Sequence, residues 1–221
     1  MSTTADATNK NYWQSISANE ILAGVQQPGT ELLPYIQQSS KVLDIGCGSG
    51  KLIPGLLKNS AHVTGIDINA DAITKKQKNY PNATFLVADV TQQLPFKDET
   101  FDVIVMAYVL TSIIDPQIVA ALTKELVRIL KPGGVIWLSE PIFSPDYEET
   151  YTDGKVQTGY RNVGVLRNNE TSEVKRFFAY YDKVSLMELL SPLTLQYESY
   201  RSNTSSHSRR TVETLVALVQ K

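Results

Sequence analysis

The sequence predicts an α/β protein with a doubly wound, mostly parallel seven-stranded sheet, helices on both faces and an antiparallel last strand. Three observations predict this fold. Short apolar runs alternate with longer segments whose apolar residues recur at helical spacing. The apolar runs are almost unbroken, as in strands that are buried on both faces of a parallel sheet. A short polar link joins the last two runs, which predicts a hairpin and therefore a reversed final strand.

Five strands are predicted before the C-terminal part of the chain. They are KVLDI (41–45), HVTGIDI (62–68), ATFLVADV (83–90), FDVIVMAYV (101–109) and VIWLSEP (135–141). Two further strands, 193–201 and 211–221, end the chain. Because parallel strands of such a sheet end at one edge, we expect a ligand beyond their carboxyl ends.

Helices are predicted between these strands. They cover residues 52–57, 70–78, 115–134 and 183–190. In the third, Asp115 is the expected N-cap, Pro116 lies in the first turn, and Gly133 or Gly134 follows the end. Before the sheet we expect two short helices between residues 12 and 36, while the small polar residues 1–11 predict a frayed terminus.

The chain of 221 residues is predicted to form one domain with four parts. These are N-terminal cap helices (1–40), a core (41–141), an irregular insertion that covers the substrate (142–182), and a C-terminal helix and hairpin (183–221). A long insertion in a compact domain is typically a functional cover.

Composition excludes several classes of function. The net charge of −2, without a basic stripe, argues against a nucleic-acid partner. The single Cys47 cannot form an internal disulfide, and no apolar run is long enough to span a bilayer. The start of the chain also lacks the features of a signal peptide. We therefore expect a soluble cytoplasmic protein; its oligomeric state stays open.

The stretch VLDIGCGSG (42–50) places three alternating glycines directly after the first strand. Glycines there let the backbone turn sharply into a helix and bring its amides close to a ligand. Three are more than a plain turn requires. A dinucleotide fingerprint, GxGxxG, would need a glycine where this chain has Lys51, which argues against NAD.

Asp44 precedes these glycines, and the pattern DxGxGxG is followed in order by GIDIN, LVADV, FDVIV and LKPGG. This succession over residues 41–141 resembles the class I S-adenosylmethionine-dependent methyltransferase family. The resemblance implies a Rossmann-like fold and S-adenosyl-L-methionine as the cofactor. It implies no metal.

The resemblance also implies roles for individual residues. Asp67, at the end of the second strand, would bind the ribose hydroxyls, although alone it could equally be a solvated acid or a helix cap. Ile68 would pack on the adenine. Asp89 would accept a hydrogen bond from the adenine amino group, or cap a helix, and the Val90 amide would donate to the ring.

The remaining cofactor residues surround the methionine part. Asp44 is expected below the glycine loop, facing the amino group of the methionine moiety. That amino group would also donate a hydrogen bond to the Gly46 carbonyl. The amides around Gly48 and Gly50 would approach the cofactor. Met106 and Ala107 would flank the methyl group. Tyr12 and Trp13 resemble an aromatic pair that closes over the cofactor, or they pack in the core.

Candidate catalytic residues are few. Where many small-molecule relatives have a histidine pair, this chain has Thr111 and Ser112. Glu140, at the end of the fifth strand, could orient a nucleophile or cap the following turn. His207 lies in the link between the last strands. If the penultimate strand is parallel to the core, this link lies at the active edge and His207 could face a substrate, or it could belong to a solvated hairpin tip.

The insertion is rich in aromatic and arginine residues. Its segment RFFAYY (176–181) could form a wall of the acceptor pocket or a seam that fixes the insertion to the sheet. The candidate substrate residues are Arg176, Phe177, Tyr180 and Arg209. An arginine suits a carboxylate or phosphate.

The sequence therefore predicts methyl transfer to an oxygen or nitrogen of a small organic acceptor. One alternative is a methyltransferase that acts on a protein N-terminus or a tRNA nucleotide. Another is a catalytically silent member of the fold that binds the cofactor or a partner as a scaffold subunit.

Overall fold

The computed structural model describes residues 4–17, 27–60, 62–142, 161–167, 171, 173–204 and 211–221. The strands are β1 (Lys41–Ile45), β2 (His62–Asp67), β3 (Thr84–Val87), β4 (Phe101–Ala107), β5 (Leu130–Pro141), β6 (Arg161–Arg167), β7 (Val174–Tyr181), β8 (Thr194–Thr204) and β9 (Thr211–Gln220). The α-helices are α1 (Thr4–Ser15), α2 (Ile53–Asn59), α3 (Ala70–Asn79), α4 (Pro116–Ile129) and α5 (Lys183–Leu189). Two 3₁₀ turns are η1 (Leu33–Tyr35) and η2 (Leu110–Ser112).

Within the described residues, seven strands form one sheet in the order β3-β2-β1-β4-β5-β9-β8. β1 to β5 are parallel, and β9 pairs antiparallel with both β5 and β8. The predicted fold class is confirmed. Because β1 has β2 on one side and β4 on the other, the strand order reverses at β1, where open α/β sheets bind ligands.

Two apolar layers cover the sheet. On one face, α4 packs Leu122, Leu126 and Ile129 against the sheet, and α5 adds Leu186. On the other face, α2 and α3 contribute Leu56 and Ile73, among others. The sheet strands are apolar on both faces because both faces are covered.

Helix α4 begins as predicted but ends earlier. The Asp115 side chain accepts a hydrogen bond from the Gln117 amide, which confirms the N-cap. The helix stops at Ile129, because Leu130 already pairs with Phe101 of β4. Gly133, with φ of +75°, therefore lies within β5 rather than at a helix end.

The prediction of a frayed N-terminus was wrong for residues 4–11, the part of that stretch that the structure describes. Helix α1 begins at Thr4, and buried polar side chains rather than an apolar stripe hold it. Asp6 accepts hydrogen bonds from the amides of Ile114 (2.6 Å) and Asp115 (3.1 Å). Sequence polarity alone predicts solvation, whereas here backbone donors elsewhere in the fold satisfy these groups.

The insertion contains regular structure where it is described. β6 and β7 form a two-stranded antiparallel sheet, and Ile142 makes a parallel bridge to Tyr181. The prediction of an irregular segment was therefore wrong for this part. Of the two helices predicted between residues 12 and 36, the first falls partly on residues 18–26, outside the described residues, and the 3₁₀ turn η1 lies where the second was predicted. No helix among the described residues is long and apolar enough to cross a membrane.

Candidate functional site

The glycine loop after β1 requires glycine at three positions. Gly46, Gly48 and Gly50 have φ of +66°, +45° and +75°, in the left-handed region that side chains disfavour. A Cβ at Gly46 would also lie 2.6 Å from Cγ2 of Val109. The loop therefore packs directly against the turn that follows β4.

Asp67 at the end of β2 ties this loop to the neighbouring strand. Its Oδ2 accepts a hydrogen bond from the Gly48 amide at 2.8 Å, and its Oδ1 accepts from the Asn69 amide at 2.9 Å. Burial raises the pKa of Asp67, and the amide bonds only partly offset this effect. The side chain stays partly exposed, so lone pairs remain for a ligand that donates hydrogen bonds.

Asp44 lies below the loop and is 1% exposed. Its Oδ2 has no hydrogen-bond partner among the described residues. Burial raises the pKa of Asp44 well above its usual value, and the negative charge of Asp67 raises it further. Two adjacent carboxylates, one of them buried with an unpaired oxygen, favour a cationic ligand that would compensate their charge.

The edge beyond β2 and β3 combines partly buried apolar side chains with one acid. Ile68 and Val90 are half-buried. Oδ1 of Asp89 accepts from the Thr91 amide (2.9 Å), and Oδ2 pairs with Nζ of Lys10 on α1 at 2.8 Å. Burial acts to raise the pKa of Asp89, but the bonds from Lys10 and Thr91 outweigh it and lower that pKa.

Helix α1 covers this edge. The predicted aromatic pair, Tyr12 and Trp13, stands edge to face with 5.2 Å between ring centroids. Trp13 Nε1 donates to Ser112 Oγ of η2 at 3.1 Å, and the Asn69 amide group donates to the Trp13 carbonyl at 2.8 Å. Trp13 therefore bridges the start of α3 and the turn after β4.

The end of β4 presents a strained tyrosine. The Met106 side chain is fully buried in the core, and Ala107 is half-buried. Tyr108 follows with φ of +60°, which costs a non-glycine residue about 1–2 kcal/mol. Its amide donates to the Ser139 carbonyl at 2.9 Å, and its hydroxyl lies 3.0 Å from Thr214 Oγ1.

Glu140 on β5 is completely buried and binds backbone. Its Oε1 accepts from the amides of Val109 (2.9 Å) and Leu110 (3.0 Å), and its Oε2 accepts from Thr111 at 3.1 Å. Burial raises the pKa of Glu140 to about 7, although these amides act to lower it. The carboxylate thus caps η2, the turn after β4, which precedes Glu140 in the chain.

Strand β7 brings Arg176 to the aromatic pair. The guanidinium lies 3.9 Å from the Phe178 ring centroid and 4.7 Å from that of Trp13. Phe177 exchanges two backbone hydrogen bonds with the Asn9 side chain, at 2.7 and 3.1 Å. Tyr180, a further candidate, is 6% exposed. These contacts make α1 and β7 one continuous cover.

Two predicted residues, His207 and Arg209, lie outside the described residues. The prediction for His207 required the penultimate strand to run parallel to the core strands. β8 does so, because β9 is antiparallel to both β5 and β8. β8 ends and β9 begins at the carboxyl edge, where Thr214 pairs with Pro141 of β5. No group of three acidic, histidine or cysteine residues in the described part could hold a metal ion.

Sequence reasoning missed Lys10, Tyr108 and Thr214. Lys10 lies in the stretch that was predicted to be frayed. Tyr108 stood inside a predicted strand, where a left-handed residue gives no signal in one sequence. Thr214 follows Tyr108 by 106 positions, and only the pairing of β5 with β9 brings them together.

Comparison with known proteins gives a consistent result. A family described as "Methyltransferase domain" matches residues 42–134. A probable methyltransferase, ltbC, from Aspergillus luteorubrus is 27% identical over 74% of this chain and 63% of its own length. A demethylmenaquinone methyltransferase from Chlorobaculum tepidum is 31% identical over 60% of this chain and 50% of its own length. The chain thus spans one half to under two thirds of these curated relatives.

A solved structure covers more of the chain. An S-adenosylmethionine-dependent methyltransferase from Methanosarcina mazei superposes with a TM-score of 0.78 and 28% identity. The match covers 89% of this chain and 99% of that protein. The likeness therefore extends beyond the matched core to the covering elements.

Proposed function

We propose that this chain, which belongs to the class I S-adenosylmethionine-dependent methyltransferase family, transfers a methyl group to an oxygen or nitrogen of a small organic acceptor. The observation that carries the proposal is the buried, unpaired Oδ2 of Asp44 beside Asp67. S-adenosylmethionine is a cation with an ammonium, a sulfonium and vicinal ribose hydroxyls. Its charge and hydroxyls fit these two acids.

The residues around the glycine loop would bind and orient the cofactor. Asp67 has lone pairs for the ribose hydroxyls while its Gly48 bond keeps the loop in place. Asp44 would compensate the ammonium. Ile68 and Val90 offer half-buried apolar surface for the adenine. The Asp89 carboxylate already bonds Lys10 and Thr91, so any adenine contact would add to those bonds.

When bound, the cofactor would supply an electrophilic methyl group to an acceptor aligned with the carbon–sulfur bond, and sulfur would keep the electrons of that bond. The protein contributes alignment and a dry site, since the charge on sulfur disappears during the transfer. Helix α1 and β7 supply the cover, through Asn9 and the stacked Arg176. Trp13 ties that cover to η2.

A small acceptor is supported by the same cover. β7 contacts both α1 and η2 at the carboxyl edge, so these elements cover part of that edge. The demethylmenaquinone methyltransferase relative is named for a small molecule. The net charge of −2 argues against nucleic acid. Cys47 is a free buried thiol, which supports the further proposal of a cytoplasmic location.

The geometry bears on the catalytic candidates. Both Glu140 oxygens accept amide bonds, which supports the capping role over the orientation of a nucleophile. His207 and Arg209 stay predictions. A general base is needed only if the nucleophile arrives protonated and must lose its proton to react.

Calorimetric titration with S-adenosylmethionine and S-adenosylhomocysteine tests the cofactor site. Asp67→Ala should weaken binding by more than about 1.5 kcal/mol, because hydrogen bonds to a charged group are lost. Asp71→Ala, which removes an exposed acid on α3, is the matched control and should not weaken binding. Absence of binding to folded wild-type protein would refute the proposal and favour the scaffold role.

A radiolabelled methyl-transfer screen over small amines, phenols and carboxylic acids then tests the acceptor class. Methylation of one of these compounds, abolished by Asp67→Ala, is the expected result. Transfer to a peptide N-terminus or tRNA, and to none of the small compounds, would contradict the proposed class.

A further inference from the structure

Tyr108 is a conformational outlier at the carboxyl edge. Among the described non-glycine residues, only Glu99 and Tyr108 have positive φ. Glu99 precedes β4, at the opposite edge, whereas Tyr108 directly follows that strand. A bulky residue persists in such a conformation where surrounding contacts determine it, and such residues cluster at functional sites.

Two hydrogen bonds hold Tyr108 in place, and further bonds fix the residues that follow it. Its amide bonds the Ser139 carbonyl, and its hydroxyl bonds the buried Thr214. The next three amides are fixed by Glu140. Because Thr214 belongs to β9, the tyrosine side chain reaches past the end of β5, the strand between β4 and β9.

The same turn touches the glycine loop. Val109 packs on Gly46 so closely that a Cβ there would lie 2.6 Å from it. Tyr108 is therefore one residue away from the loop, on the side of β4 and β5. It occupies the boundary between the Asp44–Asp67 half of the edge and the β4–β5–β9 half.

The hydroxyl pair has a definite hydrogen-bonding capacity. A phenol is the stronger acid, so Tyr108 is the natural donor to Thr214, and its oxygen keeps lone pairs. Burial raises the pKa of Tyr108, although the bond to Thr214 acts against this, and the negative charge of Glu140 raises it further. The phenol therefore stays protonated at neutral pH and cannot act as a base there.

We propose that Tyr108 positions the acceptor in the methyl transfer proposed above, with its phenol oxygen accepting a hydrogen bond from the N–H of a neutral amine. Thr214 orients the phenol, and the amine lone pair is left to face the methyl group. The N–C bond forms from that lone pair, the S–C bond breaks towards sulfur, and the methylated nitrogen later releases its proton to water.

The local charge favours this acceptor class. When Glu140 is ionised, its negative charge acts at Tyr108, where it would stabilise a nitrogen that becomes cationic and disfavour an acceptor that arrives as an anion. A neutral amine also needs no base before the transfer. The inference rests on the proposed function, so its test must separate failure of the two.

Two cofactor analogues provide that test. Sinefungin carries an amine-bearing carbon in place of the methylsulfonium, so it presents a nitrogen where methyl is transferred, whereas S-adenosylhomocysteine presents none. Calorimetry gives the affinity of each for the wild type, Tyr108→Phe and Thr214→Val. Tyr200→Phe, at an exposed tyrosine on β8, is the matched control, and thermal unfolding checks that each variant folds.

Tyr108→Phe should lower sinefungin affinity about tenfold and change S-adenosylhomocysteine affinity less than about twofold. Thr214→Val should lower sinefungin affinity less, because the phenol remains. Equal changes for both analogues, or no change, would overturn the role of Tyr108. So would a larger effect of Thr214→Val. Failure of S-adenosylhomocysteine to bind wild-type protein would instead refute the proposed function.

Discussion

The two halves of the carboxyl edge each contain a buried carboxylate, but their surroundings differ. Asp44, below the glycine loop, has an oxygen without a hydrogen-bond partner in the described part of the chain. Glu140, on the β4–β5–β9 side, receives three backbone amide bonds. Glu140 therefore stabilises the fold through its amide bonds. Asp44 is complementary to a ligand, because an unpaired buried charge is costly and a cationic ligand would compensate it.

The largest expected effect concerns Glu140. Its pKa is raised from 4.5 to about 7, so folding takes up a proton between these values. Its contribution to stability is therefore full below pH 4.5 and is lost as pH rises through 7. Lowering the pH from 8 to 4.5 should widen the gap in unfolding free energy between wild type and Glu140→Gln by about 3 kcal/mol.

Urea unfolding over this pH range measures the gap. Glu188→Gln, at an exposed glutamate on α5, is the matched control. A gap independent of pH would show that Glu140 is not a buried acid with a raised pKa, and the two halves would then not differ as described.

For Asp44 we expect a smaller effect on the unfolding free energy, and at pH 8 we expect the substitution to stabilise the protein. Asp44→Asn removes a buried carboxyl group whose pKa is raised by burial and by the charge of Asp67, so the ligand-free protein should become more stable at pH 8. The same change should weaken S-adenosylhomocysteine binding by roughly 1.5–3 kcal/mol. Denaturant unfolding and calorimetry check the two signs, with Asp71→Asn as the control. Loss of stability together with unchanged binding would contradict the assignment of Asp44 to a ligand.

The smallest effect on the unfolding free energy is expected for the ion pair between α1 and Asp89. Lys10→Met breaks the ion pair with Asp89, in which the lysine side chain is 45% exposed. Partly exposed pairs contribute little, so unfolding free energy should fall by less than about 1 kcal/mol, and less again in 1 M salt. A larger loss, unaffected by salt, would mean that α1 depends on this pair rather than on Asp6 and Asn9. Thermal unfolding at two salt concentrations distinguishes these cases.

Many features of the fold were predictable from residues that lie close together in the sequence. Gly46, Gly48 and Gly50 fall in the left-handed region, and the N-cap at Asp115 lies where the sequence indicates. Each depends on neighbours within a few residues. The strands of the core were recognisable because burial on both faces requires continuous apolar runs.

Contacts between distant residues were not recognisable. Asn9 looked like part of a solvated terminus, yet its side chain pairs with the backbone of Phe177, 168 positions away. Glu140 was open to two interpretations, and its partners turned out to precede it by about 30 positions. A polar residue in a sequence does not show whether water or another strand will satisfy it.

The sequence by itself determined the alternation of strands and helices, the glycine loop and the acids at or near the ends of β1, β2 and β3, because these rest on local backbone preferences and burial. Only the tertiary structure decided that Lys10 reaches Asp89, that Glu140 caps η2, and that Tyr108 meets Thr214. Those pairings depend on strand order and on how α1 docks, and both are set by the packing of the whole chain.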